Sequence, residues 1–159
     1  MQVVNIHKRT INQPKAQVVT LLKTLSTKND KVWPKDRWPA MRFKNGLKVG
    51  EKGGHGIIGY AIETFEIEER IVFRFLKPKG FNGIHKFEIE AMDAKSTEIK
   101  HSIIMETEGL ATFKWIFVIR WLHDALIENA FDTVENNFLE TKKFTKWSFW
   151  VRIWRYILK

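Results

Sequence analysis

The sequence predicts an α+β fold: a strongly curved antiparallel sheet wrapped around one long helix near the C-terminal end. Three observations carry this. Residues 112–139, TFKWIFVIRWLHDALIENAFDTVENNFL, keep apolar side chains at helical spacing over about 28 residues, roughly 40 Å of helix at 1.5 Å per residue. Ahead of them, four extended segments alternate apolar and polar residues across short turns, the pattern of an antiparallel meander. Each layer has one apolar face, and the two faces can only be buried against each other.

The elements follow in chain order. Val3 to Ile11 reads as a strand with Val4 and Ile6 on one face and Val3, Asn5 and His7 on the other. Asn12-Gln13-Pro14 is a helix start, because proline pre-sets the backbone angle and lacks a donor that would be orphaned there. Val18, Leu21, Leu22 and Leu25 then give a short amphipathic helix, ending near Ser26 to Asp30. Residues 32–54 are irregular, since Trp33-Pro34 and Trp38-Pro39 bias their aromatic residues away from helix. Met41 with Phe43 and Leu47 with Val49 offer short extended pieces around Asn45-Gly46, and Gly53-Gly54-His55-Gly56 is a turn feeding a strand. It is neither a dinucleotide fingerprint nor a phosphate loop, and His55 reads as a loop residue.

The meander comprises Ile57 to Ile67, Ile71 to Leu76, Ile84 to Met92 and Thr97 to Thr107. Alternation puts Ile71, Phe73 and Phe75 on the inner face, with His85, Phe87 and Ile89, then Ile99, His101, Ile103 and Met105. Arg74 alternates outward, and Glu63 and Glu66 lie on opposite faces of one strand, so that one can enter the interior. On the long helix, Ile119, Leu122, Leu126, Ala130, Val134 and Phe138 form the buried stripe, widened by His123, Ile127 and Phe131. Arg120, Asp124, Glu128 and Asp132 recur every four residues and define a solvated side held by pairing along the helix.

Composition narrows the function. With 44% apolar residues, 12 Phe and 7 Trp, the chain can fill a core, and the absence of Cys excludes disulfides, thiolate catalysis and Cys-bound metal. Met1 runs straight into strand-like sequence and the longest apolar run, Trp115 to Leu122, is broken by Arg120, which points to a cytoplasmic protein. The net charge of +9 is uneven: 12 basic and 3 acidic residues in 1–52, 9 and 14 in 53–139, and 6 and 1 in 140–159. Basic ends around an acidic middle suit an anionic membrane surface, whereas the sequence carries no nucleic-acid motif.

The segments INQPKAQVVTLL (11–22), VGEKGGHGIIGYAIETFEIEERIVFRF (49–75) and HDALIENAFDTVE (123–135) make residues 1–140 resemble the START-related SRPBCC superfamily, whose members share the helix-grip fold. The resemblance implies an apolar cavity between sheet and last helix. It also implies a role among lipid and hormone carriers, polyketide cyclases or hydrolase-like members. No shared catalytic motif comes with it, so it names no catalytic residue. The two Trp-Pro pairs and the Trp-rich end depart from the general pattern.

The candidate ligand-binding residues are Tyr60, Phe73, Phe75, His85 and Phe87 from the first three meander strands, His101, Ile103 and Met105 from the fourth, and His123 and Ile127 from the helix. Imidazoles among Phe and Ile stay neutral and suit hydrogen bonding to a guest, or acid–base work by His85 or His101. The spacing has no metal signature, so neither metal nor cofactor is expected. Residues 141–159 read as a basic amphipathic helical tail, with Trp147, Trp150 and Trp154 on its apolar arc. Arg152, Arg155 and Lys159 gather opposite, the composition of an interfacial binder. The expected function is therefore binding of a small hydrophobic molecule. The alternatives are a cyclase, hydratase or hydrolase using the cavity histidines, and a peripheral membrane or self-associating protein held through the tail.

Overall fold

In the computed structural model, which describes residues 1–158, the sheet has seven strands, all paired antiparallel in the order β1-β7-β6-β5-β4-β3-β2. They are β1 (Gln2–Ile11), β2 (Arg42–Phe43), β3 (Lys52–His55), β4 (Ile58–Glu66), β5 (Arg70–Lys77), β6 (Phe81–Ala91) and β7 (Thr97–Thr107). Helix α1 (Lys15–Leu22) follows β1, and Pro14 caps it through carbonyl contacts to the amides of Gln17 and Val18. The first strand closes on the last: His7 pairs with His101, and Phe87 and His101 pair across β6 and β7. This is the helix-grip architecture, an α+β fold as the sequence predicted.

The long helix is continuous from Leu110 but is not uniform. Leu110–Lys114 (α2) runs into a π-helical turn at Trp115–Ile119, then into α3 (Arg120–Glu135). It stops at Glu135, four residues short of the predicted end, and Asn136 to Phe138 fold into turns. The wider turn leaves carbonyls reachable from outside. The indole N–H groups of Trp121 and Trp150 donate to Ile116 and Phe117 at 3.0 and 2.9 Å.

Three further expectations need correction. Leu47 and Val49 are not in a strand; the extended piece is Lys52–His55. A Cβ on Gly53 would collide with the Arg42 carbonyl and the Phe43 ring, so glycine is what lets β2 lie against β3. Neither Glu63 nor Glu66 enters the interior. A register shift between Ile62 and Thr64 breaks the strict alternation, and both carboxylates pair outside with Arg74 and Arg70. The supposed solvated side of the helix is a seam against β1. Asn5 and His7 reach Asp124, His7 and Arg9 reach Glu128, and Arg9 also reaches the buried Asp132 and Glu135. Pairing along the helix remains only as the 3.9 Å approach of Arg120 to Asp124.

The C-terminal segment turns back onto the body. Its helix, α4, covers only Phe149–Ile157, with the Ser148 hydroxyl accepting from the Val151 amide. Trp147 precedes the helix, donates to Asn129 Oδ1 at 2.8 Å, and packs beside Trp38; Val151 is buried in the main core. Trp147 and Arg155 are half-buried against the protein: Arg155 stacks over Trp38 and donates to the Arg37 carbonyl. Arg152 is exposed, Trp150 partly so, and Lys159 lies outside the described residues.

Candidate functional site

The buried apolar residues fall into two clusters, and a cavity of about 230 Å³ borders both. From the sheet come Phe75, Phe81, His85, His101 and Ile103; from the long helix come Trp115, Val118, Ile119, Leu122, His123, Leu126 and Ile127. The remaining wall is built by the irregular loop (Trp33, Trp38, Pro39), the β3–β4 turn (His55 to Ile58) and the end of the chain (Arg155, Leu158). Of these wall residues, Ile57 and Leu158 are also exposed to solvent. Such a wall, mostly apolar with a few polar groups, is the ordinary make-up of a small-molecule site, although the volume falls below the usual range of roughly 300–1,000 Å³.

Of the residues singled out from the sequence, Phe75, His85, His101, Ile103, His123 and Ile127 border this cavity. Tyr60, Phe73, Phe87 and Met105 do not; they are buried behind the wall. Alternation identifies the inner face of a strand but not how far along it the helix lifts away. His55 is the reverse case. It ends β3 instead of sitting in a loop, borders the cavity, and bonds through Nδ1 to the buried Tyr60 hydroxyl at 3.0 Å.

Sequence reasoning also missed the Trp-Pro loop. The Asp30 carboxylate accepts from the amides of Ser26, Val32 and Trp33, which fixes the chain entering the loop. The Trp33 indole then donates to the Pro39 carbonyl at 2.9 Å, and the Trp38 indole to Asn129 Oδ1 at 3.0 Å. One amide oxygen on the helix thus holds both Trp38 and Trp147. Two Trp-Pro pairs five residues apart were the signal available for this wall.

The chain's five histidines stand in one line. His7 and His123 have ring centres 5.8 Å apart, His123 and His101 are 5.0 Å apart, and His101 Nε2 lies 3.3 Å from His85 Nδ1. The Tyr60 ring, 4.6 Å from His85, links that pair to His55. The two ends differ in charge. Burial disfavours a cation at His7, but hydrogen bonds to Asp124 and Glu128 outweigh it and raise its pKa to about 9. Asp124, although partly buried, is held well below the ordinary carboxylate value by the nearby His123 imidazole and by hydrogen bonds from His7 and Asn5. At the cavity, burial and then the neighbouring imidazoles hold His85 and His101 well below the usual histidine value. Burial pushes His55 down to about 3, a shift that water in the open cavity would relieve in part because the ring is only half-buried. His123 is lowered by burial against the opposing pull of Asp124.

Two neutral imidazoles joined by one hydrogen bond have a definite chemistry. If His85 Nδ1 donates to His101 Nε2, His85 Nε2 is a bare acceptor and His101 Nδ1 carries a proton; with both rings in the other tautomer the bond reverses and these roles exchange. The pair always presents one donor and one acceptor. Both outer nitrogens, and both nitrogens of His123, are buried without a partner. Unsatisfied buried polar atoms are costly, on the order of 1–3 kcal/mol each, so they point to a group that completes them.

Comparison with known proteins places the fold. No family model and no curated protein sequence matches the chain. Among solved structures, a protein from Thermobifida fusca superposes with a TM-score of 0.67 at 14% identity, over 90% of this chain and 99% of that one. Norcoclaurine synthase from Thalictrum flavum, in complex with dopamine and hydroxybenzaldehyde, gives 0.66 at 12% identity over 90% of each chain. A START superfamily protein from Mycobacterium smegmatis gives 0.55 at 12% identity, over 86% of this chain and 97% of that one. The chain shares their fold, as the resemblance to the START-related superfamily implied.

Proposed function

We propose that the protein binds a small, largely apolar organic molecule between sheet and long helix, with one uncharged polar group of the guest among His85, His101 and His123. The observation that carries this is the cavity itself: an apolar hollow crossing a split core, with unpartnered imidazole nitrogens in its wall. Neutral imidazoles accept and donate to a hydroxyl, carbonyl or amide without a buried charge. The small guests of the norcoclaurine synthase complex, in a protein of the same fold, support the size class. Native mass spectrometry of freshly purified protein should show a co-purifying mass, and aromatic alcohols or ketones should quench Trp33, Trp38 and Trp115 saturably. Leu122→Trp, which fills the hollow, should weaken that binding at least tenfold. Unchanged quenching in a folded Leu122→Trp variant would remove the cavity as the site.

A second reading, acid–base catalysis on the bound molecule, is favoured by the His85–His101 hydrogen bond. His85→Gln and His101→Gln would then abolish turnover while retaining guest binding; turnover that survives both changes excludes it. A third, attachment to an anionic membrane surface, is favoured less by the tail than by α2 and the π turn. Leu110, Phe113, Phe117 and Trp121 follow one another at helical spacing and are exposed, at 77% and 61% for the first two, beside Lys114 and Arg120. Among the described residues no helix is long and apolar enough to cross a membrane. Phe113→Asp with Phe117→Asp should release the protein from anionic vesicles in sedimentation, and equal partitioning of the variant would discard the reading.

A further inference from the structure

We propose that His7, His123 and Asp124 form a binding site for a divalent cation of the zinc kind, at the seam between β1 and α3. The three residues offer donor atoms that all lie within 4.8 Å of one another. Asp124 Oδ1 is 3.0 Å from His7 Nε2 and 3.6 Å from His123 Nδ1. In a tetrahedral zinc site with bonds of about 2.0–2.1 Å, neighbouring ligand atoms stand about 3.3 Å apart, so these two edges bracket that length. Two imidazoles and a carboxylate are also the donor set that such cations prefer, with a fourth position left for water or an oxygen donor.

A second observation is independent of that spacing. Both ring nitrogens of His123 are buried and have no hydrogen-bond partner, and a cation bound at Nδ1 completes the one nearest Asp124. The outer contacts fit as well. His7 Nδ1 lies 2.8 Å from Glu128 Oε1, the carboxylate–imidazole contact that fixes the ring, and a metal would replace the proton that Nε2 shares with Asp124 Oδ1 at 3.0 Å. Asn5 donates to Asp124 Oδ1 at 2.9 Å, and Arg9 holds the far oxygen of Glu128 at 2.8 Å. Because His123 also borders the cavity, the cation would sit directly behind its wall.

The test uses the whole chain, stripped by chelator, and zinc alone. Calorimetry should show one zinc bound per chain, and the melting temperature should rise with zinc concentration. His7→Gln, His123→Gln and Asp124→Asn should each abolish the binding, and Glu128→Gln should weaken it by roughly 10- to 100-fold. Zinc-edge absorption on the unaltered protein should show two imidazoles among the nearest ligands, a readout that does not depend on any variant folding. No zinc uptake, uptake that survives all three ligand substitutions, or a first shell without imidazole overturns the site. The titration is done without guest, so a cavity that binds nothing leaves this result unaffected.

Discussion

Along its seam with β1 the long helix sets Asp124, Glu128, Asp132 and Glu135 against Asn5, His7 and Arg9, whereas on its cavity side His123 meets His101 and no hydrogen-bond partner. One face carries paired charge. The other carries neutral, unsatisfied polar groups in an apolar wall. The difference teaches where each kind of polarity belongs: ions survive half-buried when each carboxylate has a donor, while an imidazole can be buried alone because it gives up its charge. Pairing accounts for Asp132 and Glu135 through stability. The unpartnered imidazole nitrogens have no such account, and they are what the proposed guest would complete.

The sharpest way to break this comparison is at Asp132. Its carboxylate accepts from Arg9, the Thr145 amide and the Thr145 hydroxyl, so it ties β1 and the returning C-terminal segment to the helix. Asp132→Ala should cost about 3–5 kcal/mol in chemical denaturation, because Arg9 and the Thr145 amide are left without it. A loss below about 1 kcal/mol would mean that the seam is decoration.

Acid should act next, and from the cavity side. The folded values of His55 (about 3) and His85 lie below the unfolded value of about 6.5, so below that pH the unfolded chain binds protons that the folded one refuses. Stability should therefore fall as pH drops from about 6.5 towards 3, by up to about 1.4 kcal/mol per unit for each histidine. Melting curves of the protein and of a His55→Gln variant separate that contribution; identical pH slopes would show that His55 already meets water freely.

Replacing both members of the imidazole pair is a smaller perturbation with a more telling sign. His85→Leu with His101→Leu removes donor and acceptor together, so stability should change by less than about 1 kcal/mol while affinity for a hydroxyl- or carbonyl-bearing probe falls. A destabilisation of several kcal/mol would make the pair structural and erase the contrast with the seam. The smallest expected effect is at the exposed stripe: Phe113→Ser should move stability by less than about 0.5 kcal/mol, as for other surface changes. A larger loss would show that this side chain packs on something.

Much of the fold was legible because burial leaves a period in the sequence. Ile99, His101, Ile103 and Met105 alternate, and all four side chains are buried on the inner face. The same rule could not separate Phe75, which reaches the cavity, from Phe73, two residues earlier, which is sealed behind it. Depth along a strand depends on where the helix stands off, and no local pattern encodes that. The every-four repeat of Asp124, Glu128 and Asp132 was read correctly as a face but wrongly as solvent-facing, since its partners lie over 100 residues away on β1.

The sequence by itself determined the layers: the first strand and the four-stranded meander, which of their faces are apolar, and that a long helix must lie across a curved sheet. It did so because secondary structure and burial act through neighbours at fixed spacing. Only the tertiary structure decided that five histidines from five elements would line up, that Asn129 would hold two tryptophans, and that the core would part around a hollow. Those outcomes depend on how distant segments meet, and their energies come from contacts that the chain acquires only when it closes.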